Sequence, residues 1–390
     1  MLLLKNIKIK IKTKKGIRMN SSYRLAERLL QTADIEINGG RPWDLQLHDA
    51  RALAQALARG NLGLGEAYMD HEWDCDALDE FFYRILREKV HQQISPSRLL
   101  WHALKNRWFN LQSHKRAWQV GKVHYDLGNA FYQAMLDSRM TYTCGYWKHA
   151  RSLEEAQAHK LELTCRKLEL QPGMKVLDIG CGWGSFMQYA SEHYGVECVG
   201  ITISKQQAAL ARERCAGYPI EVHEQDYRSL DMKADRVVSL GMFEHVGPKN
   251  HRTFFEVVNR CLVDDGLALL HTIGRNRAKA IPDPFIAKYI FPNGELPALQ
   301  QISSAVEGLF VVEDLHNFGA DYDLTLMAWH RNFENHWHRF QEEYGDRFYR
   351  MWRYYLLSCA GAFRARDIQL WQWVLSPKGK IGGYQRPTLT

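Results

Sequence analysis

The sequence predicts an α/β protein: a sheet of parallel strands with helices on both faces, preceded by a smaller helical segment. Three observations lead there. From Met174 onward, short apolar runs alternate with helical repeats. The stretch VLDIGCGWGS (176–185) reads as a strand, a glycine-rich turn and the start of a helix. Between residues 19 and 90 the apolar residues read at helical spacing. The chain has 390 residues, 46% hydrophobic, 12% aromatic and 24% charged, which excludes a disordered or low-complexity protein and gives room for two or three domains. Mean hydropathy is −0.41. No apolar run approaches the ~20 residues that a membrane-spanning helix needs.

The elements follow in order. SSYRLAERLLQTA places Leu25, Leu29 and Leu30 on one helical face behind a serine cap, and DARALAQALARG makes a second helix closed by Gly60. LGLGEAYMD and WDCDALDEFFYRIL continue as helix. Residues 91–124 carry Arg98, Lys105, Arg107, Lys115, Arg116 and Lys122, no acid, and Trp101, Trp108, Phe109 and Trp118. That pattern suits a basic amphipathic helix on an anionic membrane, and equally an interdomain helix with a solvated basic face. KVLDIG (175–180) is the first strand of the sheet, followed by a helix from Ser185 to His193. ECVGIT (197–202) is the second strand, and SKQQAALARERC the second helix. IEVHEQD (220–226), DRVVSLGMF (235–243) and LALLHTIG (267–274) are further strands, with the helix FFEVVNRCL before the last. FVVEDLHNFG and IQLWQWVL add two more strands, and helices fill the regions around 284–309 and 322–360.

Net charge is +7, but residues 1–18 hold seven bases and no acid. Removing those seven from 51 Lys and Arg leaves 44, equal to the 44 Asp and Glu, so the body is neutral and a nucleic-acid partner is disfavoured. Residues 1–18 do not read as a signal peptide, since three leucines precede the bases. They read as a disordered extension, as residues upstream of a start at Met19, or as a short amphipathic tether. The eight cysteines form no CxxC pair and no metal spacing, so no metal is expected, and reduced thiols point to the cytoplasm.

The glycines of VLDIGCGWGS let the chain turn sharply and approach a ligand beyond the carboxyl end of a strand. A pyrophosphate site favours GxGxxG; here the spacing is GxGxG after an acid, Asp178. This resembles motif I of the class I S-adenosylmethionine-dependent methyltransferases. Such folds usually carry an acid at the end of the second strand for the ribose. This chain reads Gly200-Ile201-Thr202-Ile203-Ser204 there, which leaves neutral groups such as Thr202 and Gln207 for that task, or merely a helix cap.

Beyond motif I, HYDLGNAFY (124–132), YTCGYW (142–147), GMFEHVG (241–247), LLHTIG (269–274), FGADYDLTLMAW (318–329) and CAGAFRARDIQLWQ (359–372) stand out. Together, from about Tyr23 to Leu375, the chain resembles the cyclopropane-fatty-acyl-phospholipid synthase family. The resemblance implies a helical N-terminal domain over 19–120 that engages lipid, and a catalytic domain over 121–390. It implies transfer from S-adenosylmethionine to the cis double bond of a phospholipid acyl chain through a carbocation, with bicarbonate as base. It places Cys144, Glu244, His271, Tyr322 and the Ile273 backbone around the bicarbonate. It assigns Tyr142, Thr143, Asp178, Gly180, Cys181, Gly182, Gly184, Thr202, Ile203, Gln207, Asp226 and Tyr227 to the cofactor. A homodimer, peripheral on the inner face of the cytoplasmic membrane, is implied as well.

The chemistry sets three demands: exclusion of water, electron-rich faces around a cation, and a base beside the new methyl. Tyr142, Tyr146, Trp147, Phe243 and Tyr322 can supply the faces, at roughly 0.5–2 kcal/mol per contact. Glu244 fits beside an anion only when its carboxyl holds or receives a proton, so its pKa is expected to be raised. Cys359 is a weaker candidate, because methyl transfer to an alkene needs no covalent enzyme intermediate. Read singly, Glu244 and His245 are an ordinary loop pair, His271 a core histidine, Tyr322 a helix-start residue and Cys144 a buried thiol. Alternatives of other kinds are a lipid methyltransferase that leaves a methyl branch and a catalytically silent lipid-binding module.

Overall fold

The computed structural model describes residues 21–90, 128–278 and 282–389. The basic extension 1–18, the basic aromatic stretch 91–124 and the 120/121 boundary lie outside them.

Four helices open the described chain: α1 (Ser21–Gln31), α2 (Arg51–Arg59), α3 (Asn61–Met69) and α4 (Leu78–Arg87). Between them runs a two-stranded ribbon, β1 (Gln46–Leu47) with β2 (Trp73–Asp74), paired antiparallel. The sequence reading made WDCD part of a helix. The fully buried Trp73 pairs with Leu47 instead, and its indole donates to the Leu64 carbonyl at 2.9 Å, so the helix begins only at Leu78.

A short helix, α5 (Asn129–Met135), and a long one, α6 (Leu153–Lys167), lead into the sheet. Ser152 caps α6 by accepting from the Glu155 amide. The sheet strands are β3 (Lys175–Ile179), β4 (Glu197–Thr202), β5 (Ile220–Glu224), β6 (Ala234–Leu240), β7 (Leu262–Arg275), β8 (Val311–Asn317) and β9 (Ile368–Ser376), in the order β5-β4-β3-β6-β7-β9-β8. All run parallel except β9, which is antiparallel to both neighbours. The sequence reading did not anticipate that reversal. The chain arrives at β9 from the long α13 rather than by a right-handed crossover. β6 ends at Leu240, short of the expected Phe243, because Gly241 (φ 73°) turns the chain into the 3₁₀ turn Phe243–His245.

Both faces of the sheet are covered. α6, α7 (Ser185–Tyr194) and α8 (Lys205–Arg214) bury Val176, Val238 and Leu269 on one side. α9 (His251–Cys261) and α11 (Leu299–Val306) bury Leu177, Ile179 and Leu270 on the other. This alternation is the period-two pattern of a strand buried on both faces. The short α10 (Pro284–Tyr289) precedes α11.

The last two helices, α12 (Ala320–His336) and α13 (Gln341–Arg364, interrupted at Gly345), do not cover the sheet alone. Their buried residues join those of α1–α4 and α5 in one hydrophobic core that contains Trp73, Phe81, Phe131, Trp329, Trp352 and Tyr354. Gly361 shows how close the contact is: a Cβ there would lie 2.6 Å from the Asp79 carbonyl of α4. No described helix is long and apolar enough to cross a membrane.

Candidate active site

The glycine loop follows β3 at the carboxyl edge of the sheet. Gly180, Gly182 and Gly184 take φ of 89°, 54° and 82°, which other residues adopt only under strain. They do not serve one purpose. A Cβ at Gly182 would meet nothing within 4 Å, whereas one at Gly184 would strike the Cys215 sulfur at 2.7 Å. Gly182 faces open space; Gly184 is a packing glycine and does not line the cavity described below.

Asp178 sits at the end of β3, buried, and its Oδ1 has no hydrogen-bond partner among the described residues. Burial pushes its carboxyl up to about 7, and the neighbouring Lys160 ammonium pulls it down. Lys160, on α6, is itself wholly buried and pushed down to about 8. Its Nζ donates to Thr143 Oγ1 at 3.0 Å, while Gln157 donates to the Thr143 carbonyl at 2.8 Å. Helix α6 thus holds the YTCG loop against the glycine loop.

At the end of β4, Thr202 donates to Gln207 Oε1 at 2.9 Å, and Ser204 caps α8. Both neutral side chains are buried and line the cavity, so this strand end is a helix cap and a cavity wall at once. Asp226 accepts from Arg228 Nε at 2.9 Å and Nη2 at 2.6 Å.

After β6, the 3₁₀ turn aims Glu244 at β7. Its Oε1 accepts from the Ile273 amide at 2.7 Å, and its Oε2 is buried without a partner among the described residues. Burial pushes the carboxyl up to about 7, the direction the sequence reading expects. His271, two residues before Ile273 on the same face of β7, is buried, and burial carries its pKa well below the ordinary value. Tyr322 opens α12 and stacks on Phe363, with ring centres 4.4 Å apart. Its hydroxyl is raised well above the usual range by burial, then by the nearby Cys144, Glu244, Tyr142 and Cys359.

One cavity of about 1950 Å³ joins these parts. Of the sequence-predicted residues it is lined by Tyr142, Thr143, Asp178, Gly180, Cys181, Gly182, Thr202, Ile203, Gln207, Asp226, Tyr227, Glu244, Ile273, Tyr322 and Cys359. Cys144 and His271 lie behind its wall. The Cys144 thiol contacts the Gly145 carbonyl and Thr325, and burial drives its pKa well up. Three of the expected aromatic faces are not there. Tyr146 packs on Phe318, Trp147 donates to Thr325 at 2.9 Å, and Phe243 stacks on His251 in the sheet core. Trp183, Phe291 and Tyr355 line the cavity instead, and the Tyr355 hydroxyl meets that of Tyr142 at 2.9 Å.

A family model described as Mycolic acid cyclopropane synthetase matches residues 112–373. The Cyclopropane-fatty-acyl-phospholipid synthase of Escherichia coli is 52% identical over 361 residues, covering 91% of this chain and 93% of that one. The chain belongs to the cyclopropane synthase family. Solved structures agree. The cyclopropane synthase MmaA2 from Mycobacterium tuberculosis superimposes with a TM-score of 0.63 at 32% identity, over 68% of this chain and 99% of that one. Mycolic acid cyclopropane synthase CmaA1, complexed with SAH and CTAB, gives 0.62 at 33% identity, over 66% of this chain and 97% of that one.

The class I methyltransferase fold of this cyclopropane synthase family member also fits its cofactor. Glycines at positive φ clear the backbone, and Asp178 offers a buried oxygen that no described residue satisfies. Sequence reasoning missed α6 and, with it, Lys160 and Gln157. The capping pattern Ser152-x-x-Glu155 marks the start of that helix and could have revealed it.

Proposed function

We propose that this chain is a cyclopropane-fatty-acyl-phospholipid synthase. It adds a methylene from S-adenosylmethionine across the cis double bond of an unsaturated phospholipid acyl chain. The observation that carries this reading is the continuity of the cavity. From Asp178 and Glu244 it runs between α1–α4 and α12–α13, where Leu29, Leu53, Leu57, Phe82 and Ile85 make an apolar wall. Such a wall suits an acyl chain and repels water.

When bound, S-adenosylmethionine supplies an electrophilic methyl group, and bicarbonate a base. The residues do the rest. Asp178 and the glycine loop receive the polar end of the donor. The faces of Tyr142 and Tyr322 meet the positive charge that develops on the acyl chain. Glu244 and Tyr322, on the cavity wall, with His271 and Cys144 behind them, form the surroundings of the bicarbonate. The fit rests on two buried atoms that lack partners among the described residues, Glu244 Oε2 and His271 Nε2. A carboxyl raised to about 7 can hold a proton beside an anion, where an ordinary carboxylate would repel it.

The basic aromatic stretch 91–124 brings the enzyme, a homodimer in the cytoplasm, to the anionic inner membrane surface. Replacing Arg98, Lys105 and Arg107 by Glu should weaken vesicle binding, most at low salt. The function itself is tested by incubating purified protein with S-adenosylmethionine and vesicles of unsaturated phospholipid. A lipid mass gain of one CH₂ per modified chain, with loss of the alkene signal and a dependence on added bicarbonate, supports it. Unchanged lipid refutes it.

A further inference from the structure

We infer that Gln372 is a positioning residue. It holds His271 in the tautomer that carries its proton on Nε2, so that this histidine enters the site as a hydrogen-bond donor and not as a base.

Gln372 lies directly opposite His271 in the β7–β9 ladder and opposite His316 in the β9–β8 ladder. The three form a polar row across the sheet, on the face that packs against α6. That helix answers with a stripe of its own: Gln157, Lys160, Thr164 and Lys167 are spaced three, four and three apart, and all are wholly buried.

The bonds along this row fix the proton. Thr164 has one hydroxyl proton, which it donates to the Lys160 carbonyl at 2.8 Å. Toward Gln372 its oxygen can therefore only accept, so the amide group facing it at 3.3 Å is the NH₂. The same nitrogen stands 3.2 Å from His271 Nδ1. An amide nitrogen donates and does not accept, so Nδ1 is the acceptor. Turning the amide over would set Oε1 against a Thr164 oxygen whose proton is committed elsewhere. With Nδ1 accepting and the ring neutral, the proton is on Nε2. Burial, with the charges of Lys160 and Lys167, holds the ring neutral.

Two features separate this arrangement from ordinary packing. Gln372 Oε1 is buried and has no partner among the described residues, a cost that an apolar side chain of equal size would not incur. His271 Nε2 is also buried and unpartnered among the described residues, and in the proposed reading the bicarbonate takes up the donor that Gln372 selects. This inference rests on the proposed reading of the site, in which a buried anion requires donors.

The test is the tautomer itself, read on the full-length protein labelled with ¹⁵N-histidine. Long-range ¹H–¹⁵N correlation distinguishes protonated from bare ring nitrogens, and a His271→Asn sample assigns the signals. The expected spectrum has a bare Nδ1 and a protonated Nε2. A proton on Nδ1, or on both nitrogens, overturns the proposal, and this arm needs no substituted Gln372. Gln372→Met, similar in volume, should mix the tautomers and lower kcat by about 10–100-fold, with KM for S-adenosylmethionine unchanged. Full turnover in that variant also overturns it. Bicarbonate dependence, measured alongside, judges the proposed base separately: turnover indifferent to bicarbonate removes that reading, while the spectrum alone decides for or against Gln372.

Discussion

Glu244 accepts the Ile273 amide at 2.7 Å with one carboxyl oxygen and keeps the other buried without a partner. Were Glu244 present for packing or for the turn alone, Gln would serve as well. Glu244→Gln keeps the volume and the bond to Ile273 but removes the titrating proton. Turnover should fall by about 10²–10⁴-fold, the usual worth of a positioned proton-transfer group. Calorimetry should find S-adenosylmethionine affinity unchanged. Full turnover would place Glu244 outside the chemistry.

The same burial makes stability depend on pH. Glu244 and Asp178 are pushed from 4.5 and 3.8 up to about 7 in the folded protein. Between about pH 4 and 7 the unfolded chain has released these protons and the folded chain keeps them. At these two groups the folded state then binds more protons, so their contribution to stability falls as pH rises through that window and levels off above it. For Glu244 alone the full effect is about 3 kcal/mol. Burial holds His245, His251, His271 and His316 below their ordinary range, and they act in the opposite sense, so the check is a difference between two proteins. The denaturant midpoint of the ligand-free wild type, measured relative to that of Glu244→Gln, should fall from pH 5 to 8. A difference that stays level or grows over this range contradicts the assignment.

The glycine loop separates strain from ligand contact. A Cβ at Gly180 would lie 2.6 Å from Met242 Cβ, whereas at Gly182 it would meet nothing within 4 Å. Both residues have positive φ, which costs an ordinary side chain roughly 1–2 kcal/mol. Gly180→Ala should therefore lower the thermal midpoint more than Gly182→Ala, while both weaken S-adenosylmethionine binding. Equal midpoints with unaltered binding would mean that the loop does not face the cofactor.

Much of this architecture was legible in the sequence, because the signals were periodic. Val176, Leu177 and Ile179 reveal a strand buried on both faces, and Gly180-x-Gly182-x-Gly184 marks its turn. Helix α6 is harder to read because part of its buried surface is polar: Gln157, Lys160, Thr164 and Lys167 occupy positions where a hydrophobic pattern looks for leucine, and the Ser152-x-x-Glu155 cap is the signal that marks its start. The reversal of β9 leaves no trace in its own composition, since Trp371 and Trp373 would suit a parallel strand equally well. Motif membership also misled. Tyr146, Trp147 and Phe243 stand beside site residues in sequence, but each turns its ring into the protein's own packing.

Cys359 lines the cavity, yet burial pushes its thiol up to about 12, so almost no thiolate exists near neutral pH. Cys359→Ser should retain turnover within a few-fold in the lipid assay. A folded variant without activity would restore the cysteine as a participant.

The central claim is that a methyl group enters the cavity and a methylene stays on the lipid. S-adenosylmethionine with a fully deuterated methyl, given to the enzyme with vesicles of monounsaturated phospholipid, tests this most directly by mass spectrometry. The account predicts two deuterons retained in each modified chain, with the alkene gone and the third released. Retention of all three, as a methyl branch, would contradict it.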